Sequence, residues 1–231
     1  MIHLKMSNRF SLLALLGSFL ALYSTHSAEG GFVVSFGAGS GTTAGPVSFV
    51  EGQAGRLNVF IQRDAFPTEP LLSFTVRVNL SAVGGAPANG LLFASTQQQS
   101  QLVSTSYVFA GNSSVVGNNG QVGIVQLNGL RYTGSDAVVG SAVSVPTSNR
   151  ILFSLDMNPV AQGTYQISVD TTLNATGFLD GSFASIPFAH SAGLLSVVPE
   201  PGSILLLFSS IPAFYLAYRR TRARFAQGTA G

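Results

Sequence analysis

His190 is the residue in this 231-residue sequence best suited to general acid–base work, because His3 and His26 lie within residues 1–28, which read below as a removed targeting segment. A serine hydrolase would set that histidine between a hydroxyl nucleophile and a carboxylate. Asp136, Asp156, Asp170 and Asp180 could orient such a base, yet no Gly-x-Ser-x-Gly elbow accompanies them. Its neighbours Phe188, Ala189 and Ser191 make His190 read as a turn or edge-strand residue. A glycosidase needs two converging carboxylates, for which Asp64 with Glu69 and Asp170 with Asp180 are the conceivable pairs; all four read as solvated loop acids beside turns. The chain has no cysteine, which excludes disulfides, thiolate nucleophiles and cysteine-held zinc or iron–sulfur centres. No Asp-x-Asp-x-Asp-Gly calcium loop occurs. No catalytic residue, metal ligand or cofactor is therefore assigned, and the expectation is a protein that is not an enzyme.

Amides and hydroxyls are the remaining polar chemistry. Gln97-Gln98-Gln99-Ser100-Gln101 and the loop Asn112 to Asn119 could contact sugars, although such loops are commonly just solvated. Asn79-Leu80-Ser81, Asn112-Ser113-Ser114 and Asn174-Ala175-Thr176 match the glycosylation sequon, with Asn112 in the most exposed context.

The overall net charge of +2 misleads about partners. Lys5, Arg9, Arg219, Arg220, Arg222 and Arg224 all lie near the ends, accompanied only by Glu200. Residues 29–198 carry five scattered arginines (Arg56, Arg63, Arg77, Arg131 and Arg150) against eight carboxylates. A nucleic-acid partner is excluded, since phosphate binding requires clustered positive charge. With 46% hydrophobic and 9% charged residues, the middle of the chain has ample apolar surface to offset chain entropy and reads as globular.

Residues 1–28 have the form of a secretory signal: basic Lys5 and Arg9, an apolar run from Phe10 to Tyr23, then small polar residues to Ala28. Thr25 and Ser27 suit the −3 and −1 positions, so the expected cleavage region is Ser27 and Ala28, with signal peptidase as the processing partner. At the other end Pro199-Glu200-Pro201 is followed by the apolar residues 202–218 and the basic cluster of Arg219, Arg220, Arg222 and Arg224. The prolines withhold amide donors and keep their segment extended and accessible. The 17-residue apolar stretch, with Pro212 inside it, is at the short limit for a transmembrane helix. Arginines that follow it stay cytoplasmic, which places residues 29–198 on the far side of the membrane. Both ends thus demand the same topology.

This three-part tail, residues 199–224, resembles the PEP-CTERM sorting signal of exopolysaccharide-producing bacteria. The resemblance implies that Pro199, Glu200 and Pro201 are the motif read by an exosortase, an integral-membrane transpeptidase-like enzyme. It also implies that the hydrophobic tail resides transiently in the inner membrane and is then removed or exchanged. Here residues 225–231 follow the basic cluster, whereas family tails usually stop at it.

Residues 29–198 must position whatever the protein presents. Leu72 to Leu80 alternates without a break, even positions apolar and odd ones polar, as a half-buried strand does. The same period recurs at Leu57, Val59 and Ile61, at Ile151, Phe153 and Leu155, and at Tyr165, Ile167 and Val169. Phe32 to Phe36, Leu91 to Ala94, Leu102 to Phe109, Val122 to Leu127 and Gly193 to Val198 are further strand candidates. Gly39-Ser40-Gly41, Gly84-Gly85, Gly117-Asn118-Asn119-Gly120 and Asp180-Gly181 supply turns. About nine strands and no helix between them predict an all-β fold, a single antiparallel β-sandwich flanked by a signal helix and a C-terminal transmembrane helix. The order of these strands, with Gly163-Thr164-Tyr165 opening one and Gly193-Leu194-Leu195-Ser196-Val197 closing the domain, resembles the cohesin-type jelly-roll.

The expected function is that of an exported envelope or extracellular-matrix protein, sorted by an exosortase-like system, with a structural or adhesive sandwich. The alternative is a carbohydrate- or protein-binding module, with exopolysaccharide or another surface protein as partner; a secreted hydrolase ranks last.

Overall fold

The computed structural model describes residues 31–39, 41–64, 69–98, 100–115 and 123–200. Twelve strands run through them: β1 (Phe32–Ala38), β2 (Val47–Val50), β3 (Gly55–Arg63), β4 (Leu71–Val83), β5 (Leu91–Phe93), β6 (Gly123–Gln126), β7 (Arg131–Ala137), β8 (Arg150–Pro159), β9 (Gly163–Val169), β10 (Gly177–Asp180), β11 (Phe188–His190) and β12 (Gly193–Val198). They form two sheets. Sheet A has the order β11-β1-β3-β8-β5; sheet B has β2-β12-β9-β4-β7-β6, with β10 also paired to β4. Strand β4 is long enough to take β10 along its first half and β9 along its second.

Most pairings are antiparallel, as expected. The exceptions are β1 with β11 and β2 with β12, which run parallel. The sequence β1–β2 and the sequence β11–β12 each pass from sheet A to sheet B, so the two chain segments switch sheets side by side.

The alternation in β4 puts Phe74, Val76, Val78 and Leu80 in the core and leaves Thr75 and Ser81 exposed. At its start the parity fails: Leu71 is buried and Leu72 half-buried, where the register against β10 shifts. Rings join the sheets in a continuous run. Tyr132 and Phe153 have centroids 5.2 Å apart, Phe74 lies 6.3 Å from Phe153, and Phe109 is 5.7 Å from Phe74. Gly134 of β7 makes room for this run, because a Cβ there would lie 2.8 Å from the Phe153 ring.

The sequence missed β2, β7, β10 and β11 and placed a strand where none forms. Leu102 to Phe109 is a 3-10 turn (Ser100–Val103) followed by further turns. Leu102, Tyr107, Val108 and Phe109 are nevertheless buried. Their hydrophobicity reflects core packing from a coil. Only Tyr107 makes a bridge, parallel to Ile151. Strand β6 ends at Gln126, one residue short of the expected limit, because Leu127 and Asn128 turn into the left-handed region (φ 51° and 53°).

Sheet A also departs from simple alternation. Five consecutive residues of β8, Ile151 to Leu155, are buried. Phe60 and Ile151, paired across β3 and β8, lie outside the main core cluster yet are shielded from water. The segment around Thr43 shields this side. A Cβ on Gly37 would stand 2.2 Å from the Thr43 carbonyl oxygen and 2.9 Å from the Phe60 ring, so only glycine lets the segment settle there. Asn58 fastens the cover by donating to the carbonyls of Ala38 (3.4 Å) and Gly41 (3.1 Å), and Asn149 donates to that of Thr42 (2.8 Å).

Candidate functional site

Five of the six acids that could have served catalysis are committed to local structure, and the sixth, Glu69, is exposed. Asp136 is buried on β7, where its Oδ2 accepts from the Tyr107 and Ser113 hydroxyls at 2.5 Å each and its Oδ1 accepts from Ser114 Oγ (3.0 Å) and the Ala137 amide (2.7 Å). Burial, and then the bond to Asp136, push the Tyr107 phenol far above its ordinary range. Asp156 accepts from Arg56 Nε (2.9 Å) and from the Gln98 amide (2.7 Å). Asp170 accepts from the hydroxyl (2.7 Å) and amide (3.0 Å) of Thr172; these two bonds, with Arg77 a lesser influence, hold its carboxyl below the usual carboxylate range. Asp180 accepts from the Ser182 and Ala184 amides, each at 2.8 Å, and Asp64 from the Gly31 amide at 3.0 Å. His190 lies in the edge strand of sheet A, beside Val34 of β1, with its ring 6.4 Å from that of Phe188. Asp136 is on the other sheet, behind its hydroxyls. The geometry brings no acid, base and nucleophile among the described residues to one place. Among the described residues no group of three or more His, Asp or Glu could hold a metal ion.

Of the glutamine run, read from the sequence as able to contact sugars but commonly just solvated, Gln97 and Gln98 hold neighbouring structure. Gln97 clamps the backbone of Asp156: its Nε2 donates to the Asp156 carbonyl (2.9 Å) and its Oε1 accepts from the Asp156 amide (2.7 Å). Gln98 Oε1 accepts from Arg56 (3.1 Å), and Gln101 is buried. Sequence reading misses this because a polar run gives no hint that a neighbouring strand needs its amides.

Among the described residues, what the fold leaves open is the outer face of sheet B. Its outward positions on β4 are Ser73, Thr75, Arg77, Asn79, Ser81 and Val83. Cross-strand register carries the pattern sideways. Ser168, Asn79, Arg131 and Gln126 form one row over β9, β4, β7 and β6; Arg77, Thr133 and Ile124 form the next. Leu194, Gln166 and Ser81 form a third, and Ser48 meets Ser196 hydroxyl to hydroxyl at 2.7 Å. Arg131 Nε donates to Asn79 Oδ1 (3.0 Å), and Arg77 Nε donates to Thr133 Oγ1 (3.4 Å) while its Nη1 lies 3.8 Å from Asp170. Each guanidinium has five N–H donors, so these contacts orient it while leaving further donors outward. Two arginines on diagonal positions, set among hydroxyls and amides on a sheet, make a flat surface rich in hydrogen-bond donors and acceptors.

Two hollows lie outside the arginine rows, the second bordering the face at Leu194. One of about 140 Å³ is lined by Tyr107, Asn112, Ser144 and Arg150, the other of about 330 Å³ by Phe36, Pro46, Ser191 and Leu194. Neither contains a carboxylate. Of the sorting motif, Pro199 and Glu200 follow β12 directly, while Pro201, the arginines 219, 220, 222 and 224, and the cleavage residues Ser27 and Ala28 lie outside the described residues. Among the described residues no helix is long and apolar enough to cross a membrane.

No protein-family profile and no curated protein matches the sequence. Solved structures with a similar strand arrangement include a non-cellulosomal cohesin from the archaeon Archaeoglobus fulgidus, 11% identical, covering 76% of this chain and 96% of its own, with a TM-score of 0.45. A type I cohesin–dockerin complex from Clostridium thermocellum is 8% identical over 77% of this chain and 100% of the other, with a TM-score of 0.49. The cohesin module of a Clostridium perfringens family 33 glycoside hydrolase is 8% identical over 74% of this chain and 98% of the other, at 0.47. The sandwich assignment itself stands on the two-sheet topology described above.

Proposed function

We propose that this chain is an exported, non-enzymatic protein of the bacterial envelope whose sandwich binds a protein partner on the open face of sheet B. The single observation that supports binding is the contrast between the faces: sheet A carries a cover of loop and Asn58 bonds, whereas the rows around Arg77 and Arg131 are uncovered. Arginine donors among hydroxyls and amides suit the carboxylates and backbone carbonyls of another polypeptide. A sugar ligand would be favoured by aromatic platforms for its C–H faces. The chain has no tryptophan, and the described tyrosines, Tyr107, Tyr132 and Tyr165, are all buried. Phe183, 74% exposed, lies off the face, between β10 and β11. This shifts the balance from a purely structural or adhesive role, and from polysaccharide binding, towards a protein partner.

The tail supports delivery. In this reading Pro199, Glu200 and Pro201 are presented to an exosortase-like enzyme while residues 202–218 dwell in the inner membrane, after which the sandwich passes to the outer surface or matrix. Residues 31–200 immobilised on a sensor surface should capture an envelope protein, and changing both Arg77 and Arg131 to Glu should weaken capture at least about tenfold, as loss of interface arginines does. Unchanged binding by the double variant would exclude this face.

A further inference from the structure

The strand that ends the sandwich also sets how far the sandwich can stand from the membrane. Val198 is still fully engaged: it pairs with Val50, and its carbonyl accepts from the Glu51 amide at 2.9 Å. Beyond it, Glu200 remains against the body, since a methyl group on Gly52 would lie 3.1 Å from its carboxylate. The apolar run then begins at residue 202. Only residues 199–201 separate the last paired residue from that run, at most about 10 Å of extended chain.

The end of the domain where β12 finishes is made by three turns, residues 51–54, 84–90 and 159–163. They are joined to one another: the Gly52 amide donates to the Pro159 carbonyl (2.9 Å), the Ala161 amide to that of Gly90 (2.9 Å), and Gln162 Nε2 to Glu51 (2.9 Å). Apart from Glu51 these turns consist of small, amide or apolar residues, with Val160 52% exposed. Arg63, Asp64, Glu69 and Arg150 sit at the opposite end.

We propose that the uncharged part of this end, Val160 and the 84–90 turn, beside Glu51 and Glu200, rests against phospholipid headgroups on the outer side of the inner membrane for as long as the tail is uncut. The proposal depends on the reading of residues 202–218 as bilayer-embedded, and adds that a three-residue tether leaves the sandwich no stand-off. So short an attachment would keep one end down and the other up.

The absence of cysteine makes the test direct. Val160→Cys, Ala88→Cys and, at the far end, Glu69→Cys would each carry a fluorophore in the chain from residue 28 onward, inserted into phosphatidylethanolamine–phosphatidylglycerol vesicles containing a nitroxide-headgroup lipid. Labels at 160 and 88 should lose most of their fluorescence and the label at 69 almost none. A twelve-residue Gly-Ser insertion before Pro199, adding about 20 Å of flexible reach, should relieve the quenching while the chain still floats with the vesicles. Flotation without quenching at 160 and 88, or quenching that survives the insertion, overturns the proposal. A chain that fails to float overturns the embedded-tail reading and this proposal with it.

Discussion

Asp136 is the residue whose role was least visible in the sequence. A carboxylate in Arg131 to Ala137 looks like a loop acid, but its oxygens gather three hydroxyls and an amide and pin the coil at 104–115 to β7. Removing it orphans those donors in a buried place. Asp136→Ala should therefore cost about 3 kcal/mol and Tyr107→Phe about 2 kcal/mol in urea unfolding, the range for hydrogen bonds to charged groups. Burial raises Tyr107 and Tyr132 far above the ordinary phenol, with Asp136 and Asp156 adding to the effect, and raises Tyr165 as well. A raised acid favours the protonated folded state, so the stability is whole below about pH 10 and lost above it. Alkaline absorbance titration of residues 31–200 should show no tyrosinate until the sandwich unfolds. Asp170 has the opposite sign: its lowered carboxyl stabilises above about pH 4 and ceases to do so as acid protonates it in the fold. Asp170→Asn should thus be less stable than the parent at neutral pH and equal to it in strong acid, by thermal melts across pH. Among single residues, the sequence conveyed that His190 is a turn or edge-strand residue and that Asp170 and Asp180 stand beside turns; nothing in it told which acid was buried.

At the scale of elements, β4, β8 and β9 were legible because branched and aromatic residues recur every second position. Strand β7 was not, since its inward positions are Tyr132, Gly134 and Asp136, one apolar residue among a glycine and an acid. The glycine is there to receive Phe153, so Gly134→Ala should destabilise the fold by about 1–3 kcal/mol, the usual cost of overpacking, in chemical denaturation. Conversely, Leu102 to Phe109 was hydrophobic enough to pass for a strand although its buried side chains hang from turns. Hydrophobic spacing reports burial, and it identifies a strand only when a partner edge is free. The open face was partly legible, since the odd positions of β4 are polar, but that sheet A would be covered while sheet B was not depends on Thr43 settling over Gly37.

For the whole molecule, the sequence predicts one all-β sandwich between two segments proposed here to be sorting signals, and the two-sheet topology agrees with the sandwich. The parallel pairings of β1 with β11 and β2 with β12 were beyond it, because they join residues more than a hundred positions apart through a shared sheet crossing. The sorting reading makes its own prediction: mass spectrometry of the envelope-exposed form should find nothing beyond about residue 201, and recovery of Phe214 to Arg224 would refute it. The position of β12 has a mechanical corollary. This strand lies between β2 and β9 in the interior of its sheet, and the first described strand, β1, starts at the far end of the sandwich from where β12 stops. Tension between an anchored C-terminus and a captured partner would drag β12 lengthwise, loading its ladders together in shear instead of unzipping them bond by bond. If the sorting reading holds, a sandwich held by this interior strand would resist unfolding by flow better than one peeled from an edge strand.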